Sequence, residues 1–316
     1  MSNNLPKVFV IILNYNGKNT IKECLASVFQ SDYPDFETVM VDNNSQDGSF
    51  ELAKNSFPKA HFIKNEKNLG FAAGNNVGIR FALEKMADYV FLLNNDAAVF
   101  KNTLSDLIKI AQKRESEKIG IFSPVIFKGD SKDIWFAGGK INWMRMRTEH
   151  KICSTEHAVC SMGHKILGSY AARGAKHPMP DAQYKLQTTD YITGCAMLAK
   201  KEVFKKIGLF DENFFLYYED ADLCVRAKKE GFKSAVAAGA KVKHCERSEE
   251  NKKAKTYWLV VSGIYFFQKN SPWFLRLWAA VYLTMRKLKN KIDIALGKGG
   301  ELAKEVARAY KDTKPA

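Results

Sequence analysis

The amino-terminal third of the chain alternates short apolar segments, rich in β-branched residues, with segments of helical spacing. Residues 8–13, 38–41, 61–63 and 89–93 are the predicted strands, because each is a short apolar run bounded by turn-forming residues. Strands that alternate with helices in this way predict an α/β fold with a doubly wound, mainly parallel sheet. Asn or Asp lies at the end of each strand, at the sheet edge where open α/β folds bind ligands.

The alternation continues, less regularly, as far as residue 248. The other predicted elements are helices at residues 20–29, 49–56, 75–86, 104–113, 201–207 and 220–230, and strands at residues 119–127, 235–237 and 240–244. Residues 65–74 are predicted to be a Gly/Asn-rich loop. Residues 140–187 have no clear period, so we interpret them as an inserted, partly mobile segment that contributes to a binding site.

The composition is that of a globular protein with an uneven charge. The 316 residues are 46% hydrophobic and 26% charged, which argues against disorder. The net charge is +15, and residues 241–316 contain 17 Lys or Arg against 7 Asp or Glu. A basic carboxyl-terminal region predicts an anionic partner, such as a membrane surface or a polyphosphate, with nucleic acid as a further alternative.

Cysteine usage and hydropathy bear on the compartment. Six cysteines without a Cys-x-x-Cys pair predict free thiols and a reducing environment. The amino terminus has no signal-peptide pattern, and the apolar runs 257–267 and 273–285 are shorter than the roughly 20 residues of a membrane-spanning helix. We therefore expect a soluble or peripheral protein.

Acidic residues occur in two places where apolar surroundings make a carboxylate costly. Residues 210–226 combine aromatic residues with the carboxylates of Asp211, Glu219, Asp220 and Asp222. Upstream, the apolar run 89–93 ends in Asn94-Asn95-Asp96, which places a carboxylate at the edge of the predicted sheet. The two elements together predict an enzyme that handles a metal-bound phosphate ester and removes a proton from its substrate.

A zinc site is the alternative interpretation of a third cluster. Cys153, His157, Cys160 and His164 have the residue types that bind zinc. Their spacing fits no common zinc module and no apolar framework surrounds them, so chance is the better explanation.

The motifs resemble those of the inverting family 2 glycosyltransferases with the GT-A fold, most closely the rhamnosyltransferase-like branch. The matching segments follow the family's order: 12–17, 41–48, 65–76, 92–96, 191–198, 208–215 and 218–226, with His244 and Ser248. Eight matches over about residues 7–248 make the resemblance specific. It implies a GT-A domain over residues 1–248, with a nucleotide-binding half (1–100) and an acceptor half (101–248) that contains the insertion 140–187. A basic, aromatic, helical extension (249–316) follows.

The resemblance implies a donor pocket for a nucleotide sugar at the strand ends. Asp42 would accept a hydrogen bond from the N3–H of a uracil or thymine base; as an alternative, it caps the next helix. The other implied donor-binding residues are Asn14, Asn16, Asn44, Asn68, Gly70, Asn75, Asn95 and Asp96. Several of these Asn and Gly residues could equally be turn formers.

The resemblance also implies a divalent cation, Mg²⁺ or Mn²⁺, that bridges the two phosphates of the donor. Asp96 would bind it, with Asn94 in place of the family's first carboxylate, a departure that weakens metal affinity without the diphosphate. His244 would complete the metal shell, although a lone His at a strand end is often only a hydrogen-bonded residue.

Asp220 is implied as the general base that deprotonates the acceptor hydroxyl, and Glu219 is the second candidate. Two acids at a helix start could instead complement the helix dipole. Asp222 and Arg226 have the i, i+4 spacing of a salt bridge. Tyr217 and Tyr218 would stack on a sugar ring or pack in the core.

The carboxyl-terminal extension alternates Trp, Tyr and Phe with Lys and Arg, a pattern typical of helices that lie in an anionic bilayer interface. The alternative is that its aromatic residues pack on the catalytic domain. No recognition motif accompanies the charge, so nucleic acid is not expected to be a partner.

We therefore predict a metal-dependent glycosyltransferase that moves one sugar, possible donors being UDP- or dTDP-sugars such as dTDP-rhamnose, to a glycan or lipid-linked acceptor in surface polysaccharide synthesis. It would act in the cytoplasm, on the inner face of the membrane. A Gln-x-x-Arg-Trp motif is absent, which favours single-sugar addition over processive synthesis. The alternatives are a sugar nucleotidyltransferase, although residues 14–17 lack a basic, Gly-rich triphosphate loop, and a non-catalytic protein that binds a membrane or partner through its tail.

Overall fold

The computed structural model describes residues 5–113, 117–151, 186–245 and 252–313. Its strands are β1 (Val8–Asn14), β2 (Phe36–Asp42), β3 (His61–Lys64), β4 (Tyr89–Asn94), β5 (Ala97–Val99), β6 (Ile119–Lys128), β7 (Ile134–Phe136), β8 (Gly139–Asn142), β9 (Arg147–His150), β10 (Leu186–Thr189), β11 (Ala196–Lys200) and β12 (Lys233–His244). Its helices are α1 (Ile21–Phe29), α2 (Ser49–Ser56), α3 (Gly70–Glu84), α4 (Thr103–Lys113), α5 (Lys201–Ile207), α6 (Glu219–Lys229), α7 (Lys252–Asn270), α8 (Arg276–Ala295) and α9 (Gly300–Asp312).

One large sheet forms the centre of the molecule, with the order β10-β12-β6-β11-β4-β1-β2-β3. The amino-terminal strands β4, β1, β2 and β3 are parallel, as predicted for strands joined by crossover helices. β11 lies antiparallel between β4 and β6 and joins this half to the carboxyl-terminal half. The α/β fold class is confirmed. Every antiparallel pair in this sheet includes at least one strand from β5 onward.

The structure corrects three sequence predictions. Helix α3 begins at Gly70, so part of the predicted loop 65–74 is helical. The two predicted late strands are one strand, β12, with an irregularity in pairing between Ala237 and Lys241. Residues 139–150, at the start of the segment without a clear period, form the antiparallel hairpin β8–β9. The small, Gly-rich and polar residues of these segments give only a weak hydrophobic pattern, so the sequence does not reveal the elements.

Helix α7 of the carboxyl-terminal extension packs on residues 214–218, just before helix α6. Its Trp258 ring stacks on Phe215 with 4.4 Å between ring centroids, and Tyr265 contacts Phe214 at 4.9 Å. Phe266 and Phe267 are buried and contact Tyr218. Of the two interpretations of the aromatic residues, core packing therefore applies to this helix.

Helix α8 differs, because its large apolar residues are mostly exposed. The 3-10 turn Trp273–Leu275 precedes this helix, and Trp273 is 81% exposed. On α8 itself Leu277 is 78% exposed and Leu288 is 58% exposed. In the part of the chain that the structure describes, no helix is both long and apolar enough to span a bilayer.

Candidate active site

The parallel strands bring Asn14 and Asp42 together at the carboxyl edge of the sheet. The two residues are register partners in the β1–β2 pair, and both side chains are fully buried. Asn14 Nδ2 donates to Asp42 Oδ1 at 2.9 Å, to Ser49 Oγ at 2.8 Å and to Ser45 Oγ at 3.1 Å. Asp42 also accepts from the backbone N–H and the hydroxyl of Ser45. Both oxygens of Asp42 are therefore bonded within the protein, and its direct contact with a base stays a prediction.

Asn95 extends this network from strand β4. Its Nδ2 donates to Asn14 Oδ1 at 2.9 Å, so Asn14 connects the ends of three strands. Gly17 lies against this bond, and a Cβ at that position would come within 2.2 Å of Asn95 Nδ2 and 2.3 Å of Asn14 Oδ1. The loop after β1 therefore requires glycine here, because a side chain would break the hydrogen bond.

A second network lies at the start of helix α3. Asn43 Nδ2 donates to Asn68 Oδ1 and to the carbonyl of Gly70, while Asn43 Oδ1 accepts from Asn65 Nδ2. Gly70 has φ of 80°, and a Cβ there would lie 2.4 Å from the carbonyl oxygen of Phe215. This glycine thus allows the start of α3 to approach the segment that precedes Asp220.

The remaining predicted donor residues differ in accessibility. Asn16 is exposed and has φ of 51°, and its Oδ1 accepts from the backbone N–H of Gln46. Asn44 has φ of 64° and is partly buried in the same loop region. Asn75 is 2% exposed and donates to the carbonyl of Phe71 one turn earlier in α3, so its donor group is used within the helix.

Asp96 and His244 are adjacent because β5 pairs with β12, with Ala97 opposite His244. His244 Nε2 lies 3.2 Å from Asp96 Oδ1, and the imidazole ring packs on Trp135 with 4.4 Å between centroids. Burial opposes protonation of the ring, but Cys195 and Asp96 outweigh it and raise the pKa of His244 to about 11.

This pair fits a divalent cation. Asp96 Oδ1 and His244 Nδ1 are buried without a well-formed hydrogen bond among the described residues. A carboxylate oxygen beside an imidazole suits Mn²⁺, which accepts both nitrogen and oxygen ligands. No group of three or more potential ligands exists in the described ranges, so these two side chains would hold the cation with ligands supplied by a phosphate.

The two acids that are candidates for the general base, Glu219 and Asp220, follow a segment of unusual backbone conformation. Tyr217 and Tyr218 have φ of 70° and 68°, two consecutive non-glycine residues in the left-handed region. The Tyr218 ring is buried against α7, so core packing is the role that the structure gives it. Helix α6 begins directly afterwards, and its first two residues are Glu219 and Asp220.

The two acids have different surroundings. Asp220 is partly exposed and accepts hydrogen bonds from the backbone N–H groups of Gly194, at 3.0 Å, and Ala221, at 2.7 Å. Burial outweighs these bonds and raises the pKa of Asp220 to about 6. Glu219 is buried, its Oε2 has no partner within the described ranges, and burial and the Asp220 charge raise its pKa well above the usual range. Of the two acids, Asp220 is therefore the one whose charged form is stabilised by hydrogen bonds from neighbouring residues.

The other two acids of the segment are structural. Asp222 is fully buried and accepts from Arg226 Nε at 2.7 Å, which confirms the predicted i, i+4 salt bridge. It also accepts from Asn270 and forms an ion pair with Lys269 of α7. Lys269 pairs with Asp211 as well.

Sequence reasoning missed several residues of the site. Ser45 and Ser49 orient Asn14, Gly194 holds Asp220, and Trp135 packs on His244. The Asp-x-x-Ser spacing from Asp42 to Ser45 could have signalled the first of these, since Asx and Ser residues bond locally in turns. The cysteines and histidines of the zinc alternative lie outside the described residues.

A comparison with protein families identifies the family of this chain. The model of glycosyl transferase family 2 matches residues 9–208, a span that contains the donor-side networks and Asp96. The chain belongs to glycosyl transferase family 2. It is accordingly a glycosyltransferase, and the residues described above are its candidate active site.

Curated relatives of this glycosyltransferase come from archaea and bacteria. It is 28% identical over 228 residues to the low-salt glycan biosynthesis hexosyltransferase Agl10 of Haloferax volcanii, covering 72% of this chain and 63% of the relative. It is 25% identical over 250 residues to the N-acetylglucosaminyl-diphospho-decaprenol L-rhamnosyltransferase of Mycobacterium tuberculosis, covering 74% and 75%. The chain thus spans less than two thirds of the Haloferax protein.

Solved structures agree on the fold. The mannosyltransferase PcManGT of Pyrobaculum calidifontis, in complex with GDP-Man and Mn²⁺, superposes with a TM-score of 0.55 at 16% identity, covering 98% of this chain and 87% of that one. GalNAc-T7 with UDP, GalNAc and Mn²⁺ gives a TM-score of 0.58 at 17% identity, covering 89% and 55%.

Proposed function

We propose that this glycosyltransferase transfers one sugar, with inversion, from a UDP- or dTDP-sugar to a hydroxyl group of a lipid-linked glycan acceptor. The observation that carries the proposal is Asp220, whose carboxylate is fixed by two backbone N–H groups and has a pKa of about 6. Such a group is ionised at neutral pH and basic enough to accept a proton in a displacement reaction.

In this mechanism Asp220 removes the proton of the acceptor hydroxyl as its oxygen attacks the anomeric carbon. The carboxylate keeps its position because Gly194 and Ala221 bind its two oxygens. Glu219 beside it is buried and its Oε2 has no partner within the described ranges, whereas Asp220 is the partly exposed acid that an acceptor could reach. The bond between sugar and phosphate breaks on the opposite face.

Asp96 and His244 would hold the divalent cation, which when bound neutralises charge on the leaving diphosphate. The approach of Asp96 Oδ1 to within 3.2 Å of His244 Nε2, and the lack of a hydrogen-bond partner for His244 Nδ1 within the described ranges, support this assignment. Mn²⁺ accompanies the nucleotide or nucleotide sugar in both compared structures, and its presence there favours a metal in this chain too. The networks of Asn14 and Asn43 would shape the pocket for the base and ribose.

Relatives named as rhamnosyltransferases favour dTDP-rhamnose as the donor, among them the decaprenol-linked enzyme of Mycobacterium tuberculosis and the dTDP-rhamnosyl transferase RfbF of Shigella flexneri. The former also favours a lipid-linked acceptor. We propose surface polysaccharide synthesis on this basis.

Nucleoside-diphosphate release tests the proposal. Purified protein is incubated with UDP-, dTDP- and GDP-sugars and Mn²⁺ or Mg²⁺, with Asp220→Asn as the comparison. We expect metal-dependent release from one UDP- or dTDP-sugar and its loss in the variant. Release from none of the donors, together with no donor binding in calorimetry, would refute the proposal.

We further propose that the protein associates with the inner face of the membrane through α8 and the turn before it. The large apolar residues Phe274, Leu277, Val281, Met285, Leu288, Ile292 and Leu296 are 45–78% exposed and recur at intervals of three or four residues, so they share one face of the helix. Residues 252–313 contain 13 Lys or Arg against 4 Asp or Glu. An exposed apolar stripe with basic surroundings suits an anionic bilayer interface.

A further inference from the structure

A groove of about 740 Å³ lies between the carboxyl-terminal helices and the loop of the β8–β9 hairpin. Helices α7, α8 and α9 form its walls, and Arg145–Arg147 at the hairpin close one side. Its size is within the range of small-molecule binding sites. The donor-side networks of Asn14 and Asn43 contribute no residue to it, so the groove is a separate space from the donor pocket.

The polar part of the groove is cationic. Arg145, Arg147, Arg286 and Lys289 line it, against the single acid Asp293. Arg147 pairs with Glu149 and Lys289 with Asp293, whereas Arg145 and Arg286 form no ion pair among the described residues. Two guanidinium groups without carboxylate partners at one groove suit a phosphate group, which arginine binds through two parallel hydrogen bonds.

The rest of the lining is apolar and aromatic. Leu259, Ile264 and Phe267 of α7 face Leu283 and Met285 of α8 across the groove. Met285 is also 59% exposed and belongs to the apolar stripe of α8. The groove therefore borders the surface that we assign to the bilayer, with Met285 common to both.

Tyr218 lies between the groove and the two candidate catalytic acids. Its ring lines the groove, and it directly precedes Glu219 and Asp220. Burial raises the pKa of Tyr218, and among smaller influences Arg286 lowers it while Asp220 raises it. The tyrosine is thus within electrostatic reach of both the groove cation and the catalytic carboxylate. Gly263 permits this packing, because a Cβ there would lie 3.1 Å from the Tyr218 ring.

We propose that this groove binds the phosphate group and the first part of the hydrocarbon chain of an isoprenoid-lipid-phosphate acceptor, with Arg145 and Arg286 as the phosphate ligands. The sugar attached to that phosphate then extends past Tyr218 toward Asp220. The inference rests on the proposed function and adds to it the place and the chemistry of acceptor binding. The arginines and the apolar wall together define the ligand, because inorganic diphosphate would contact only the arginines and an uncharged alcohol only the apolar wall.

Direct binding tests this inference without any donor. Farnesyl diphosphate, below its aggregation concentration, is titrated into the full-length protein by calorimetry, with inorganic diphosphate and farnesol as the two partial probes. We expect farnesyl diphosphate to bind at least about tenfold more tightly than either partial probe. The Arg145→Gln/Arg286→Gln variant should weaken its binding at least about tenfold, the loss of two charge-assisted hydrogen bonds. Arg276→Gln, an exposed residue of α8 outside the groove, is the matched control and should leave binding unchanged.

Three results would overturn the inference. The first is equal binding of farnesyl diphosphate and inorganic diphosphate, and the second is equal weakening by Arg276→Gln. The third is that the Arg145→Gln/Arg286→Gln variant loses binding only to anionic vesicles and not to farnesyl diphosphate, which would assign the two cations to bilayer headgroups. Donor hydrolysis measured on the same variants separates the two proposals. Metal-dependent hydrolysis without farnesyl diphosphate binding would reject the groove and keep the transferase proposal. Binding without turnover of any donor would support the groove as a lipid-phosphate site and reject the proposed reaction.

Discussion

Lys269 Nζ lies 2.8 Å from Asp222 Oδ1, and this ion pair joins the carboxyl-terminal helix α7 to helix α6, which begins with Glu219 and Asp220. The same ammonium group lies 2.6 Å from Asp211 Oδ2. Because Asp222 is fully buried, it depends on Lys269, Arg226 and Asn270 for its counter-charge and hydrogen bonds. The extension therefore supports the conformation of residues 211–222.

Replacing Lys269 with Met should destabilise the protein by about 3 kcal/mol, the usual cost of leaving a buried carboxylate with one partner fewer. Urea unfolding followed by circular dichroism measures the change. Lys206→Met is the matched control, since Lys206 pairs with Glu230 at an exposed site and should change stability by less than about 1 kcal/mol. Equal effects of the two substitutions would contradict a structural role for the α7 contact.

Substituting Gly17 with Ala should weaken donor binding at least about tenfold, because the added methyl group collides with the Asn14–Asn95 hydrogen bond. Isothermal titration with UDP and dTDP in the presence of Mn²⁺ measures the affinity. Gly48→Ala serves for comparison: its φ is 80° but its Cβ would meet no atom within 4 Å. That variant should lose about 1 kcal/mol of stability and keep its nucleotide affinity. Unchanged affinity in Gly17→Ala would separate this network from the donor pocket.

The kcat/KM of the transferase should fall about tenfold per pH unit below pH 6, as Asp220 becomes protonated. Asp220→Asn should lower activity by about 10²- to 10⁴-fold, whereas Glu219→Gln should retain most of it, because Glu219 is buried and Asp220 is the partly exposed acid. A pH–rate profile of the three proteins measures this. If Glu219→Gln were the inactive variant, the base would be Glu219.

The same titration affects stability in a defined direction. The pKa of Asp220 is raised in the folded protein, so the folded state holds its proton more tightly than the unfolded chain. Stability attributable to this proton is present below the unfolded pKa near 4 and is lost as pH rises through about 6. Asp220→Asn should therefore gain stability relative to wild type between pH 4 and pH 8, measured by urea unfolding at both values.

Asp96→Asn and His244→Gln should each raise the Mn²⁺ concentration that gives half-maximal donor hydrolysis by at least about tenfold, because each removes one of two protein ligands. Titration of Mn²⁺ in the presence of the nucleoside diphosphate, followed by electron paramagnetic resonance, measures binding independently of turnover. Lys243→Gln, which removes an exposed ion pair with Asp130 beside the site, should leave the titration unchanged. Identical Mn²⁺ dependence in all variants would exclude the Asp96–His244 pair as the metal site.

Binding to anionic vesicles should fall at least about tenfold in the double variant Leu277→Gln/Leu288→Gln, because both side chains leave the apolar stripe. Co-sedimentation with vesicles that contain phosphatidylglycerol measures it, with phosphatidylcholine vesicles as the neutral comparison. The double variant Leu5→Gln/Met86→Gln removes two exposed apolar residues elsewhere and should bind like wild type. A loss of self-association instead of vesicle binding would identify the stripe as an interface between two copies of the chain.

The sequence predicts the parallel half of the sheet well because its strands are short, apolar and bounded by polar residues. Helix α3 is misplaced at its start, since Gly70 and its Asn-rich neighbours have the composition of a loop while their hydrogen bonds are those of a helix end. Strand β12 appears as two strands because its pairing shifts between Ala237 and Lys241, where the residues are small.

Within the site, spacing along the chain indicates which strand ends carry polar residues but not which side chains meet. The proximity of Asp96 and His244 depends on the pairing of β5 with β12, a contact between residues nearly 150 positions apart. The burial of Asp42 depends on Ser45 and Asn14 together. Helices α7 and α8 have a similar content of aromatic residues. They differ because α7 packs against the rest of the protein, whereas the large apolar residues of α8 are exposed, and the sequence does not show this difference.

The contacts of α7 also limit how this enzyme could be recombined with others. Trp258 stacks on Phe215, Ser262 donates to the carbonyl of Leu216, and Asn270 donates to Asp222, so three successive parts of one helix hold one loop. A chimera that exchanged the extension at residue 248 would separate these partners. Residues 210–222 would then lie against a foreign extension that lacks the matching contacts. The module that can be transferred intact is therefore the loop together with its helix, residues 210–222 with 252–270.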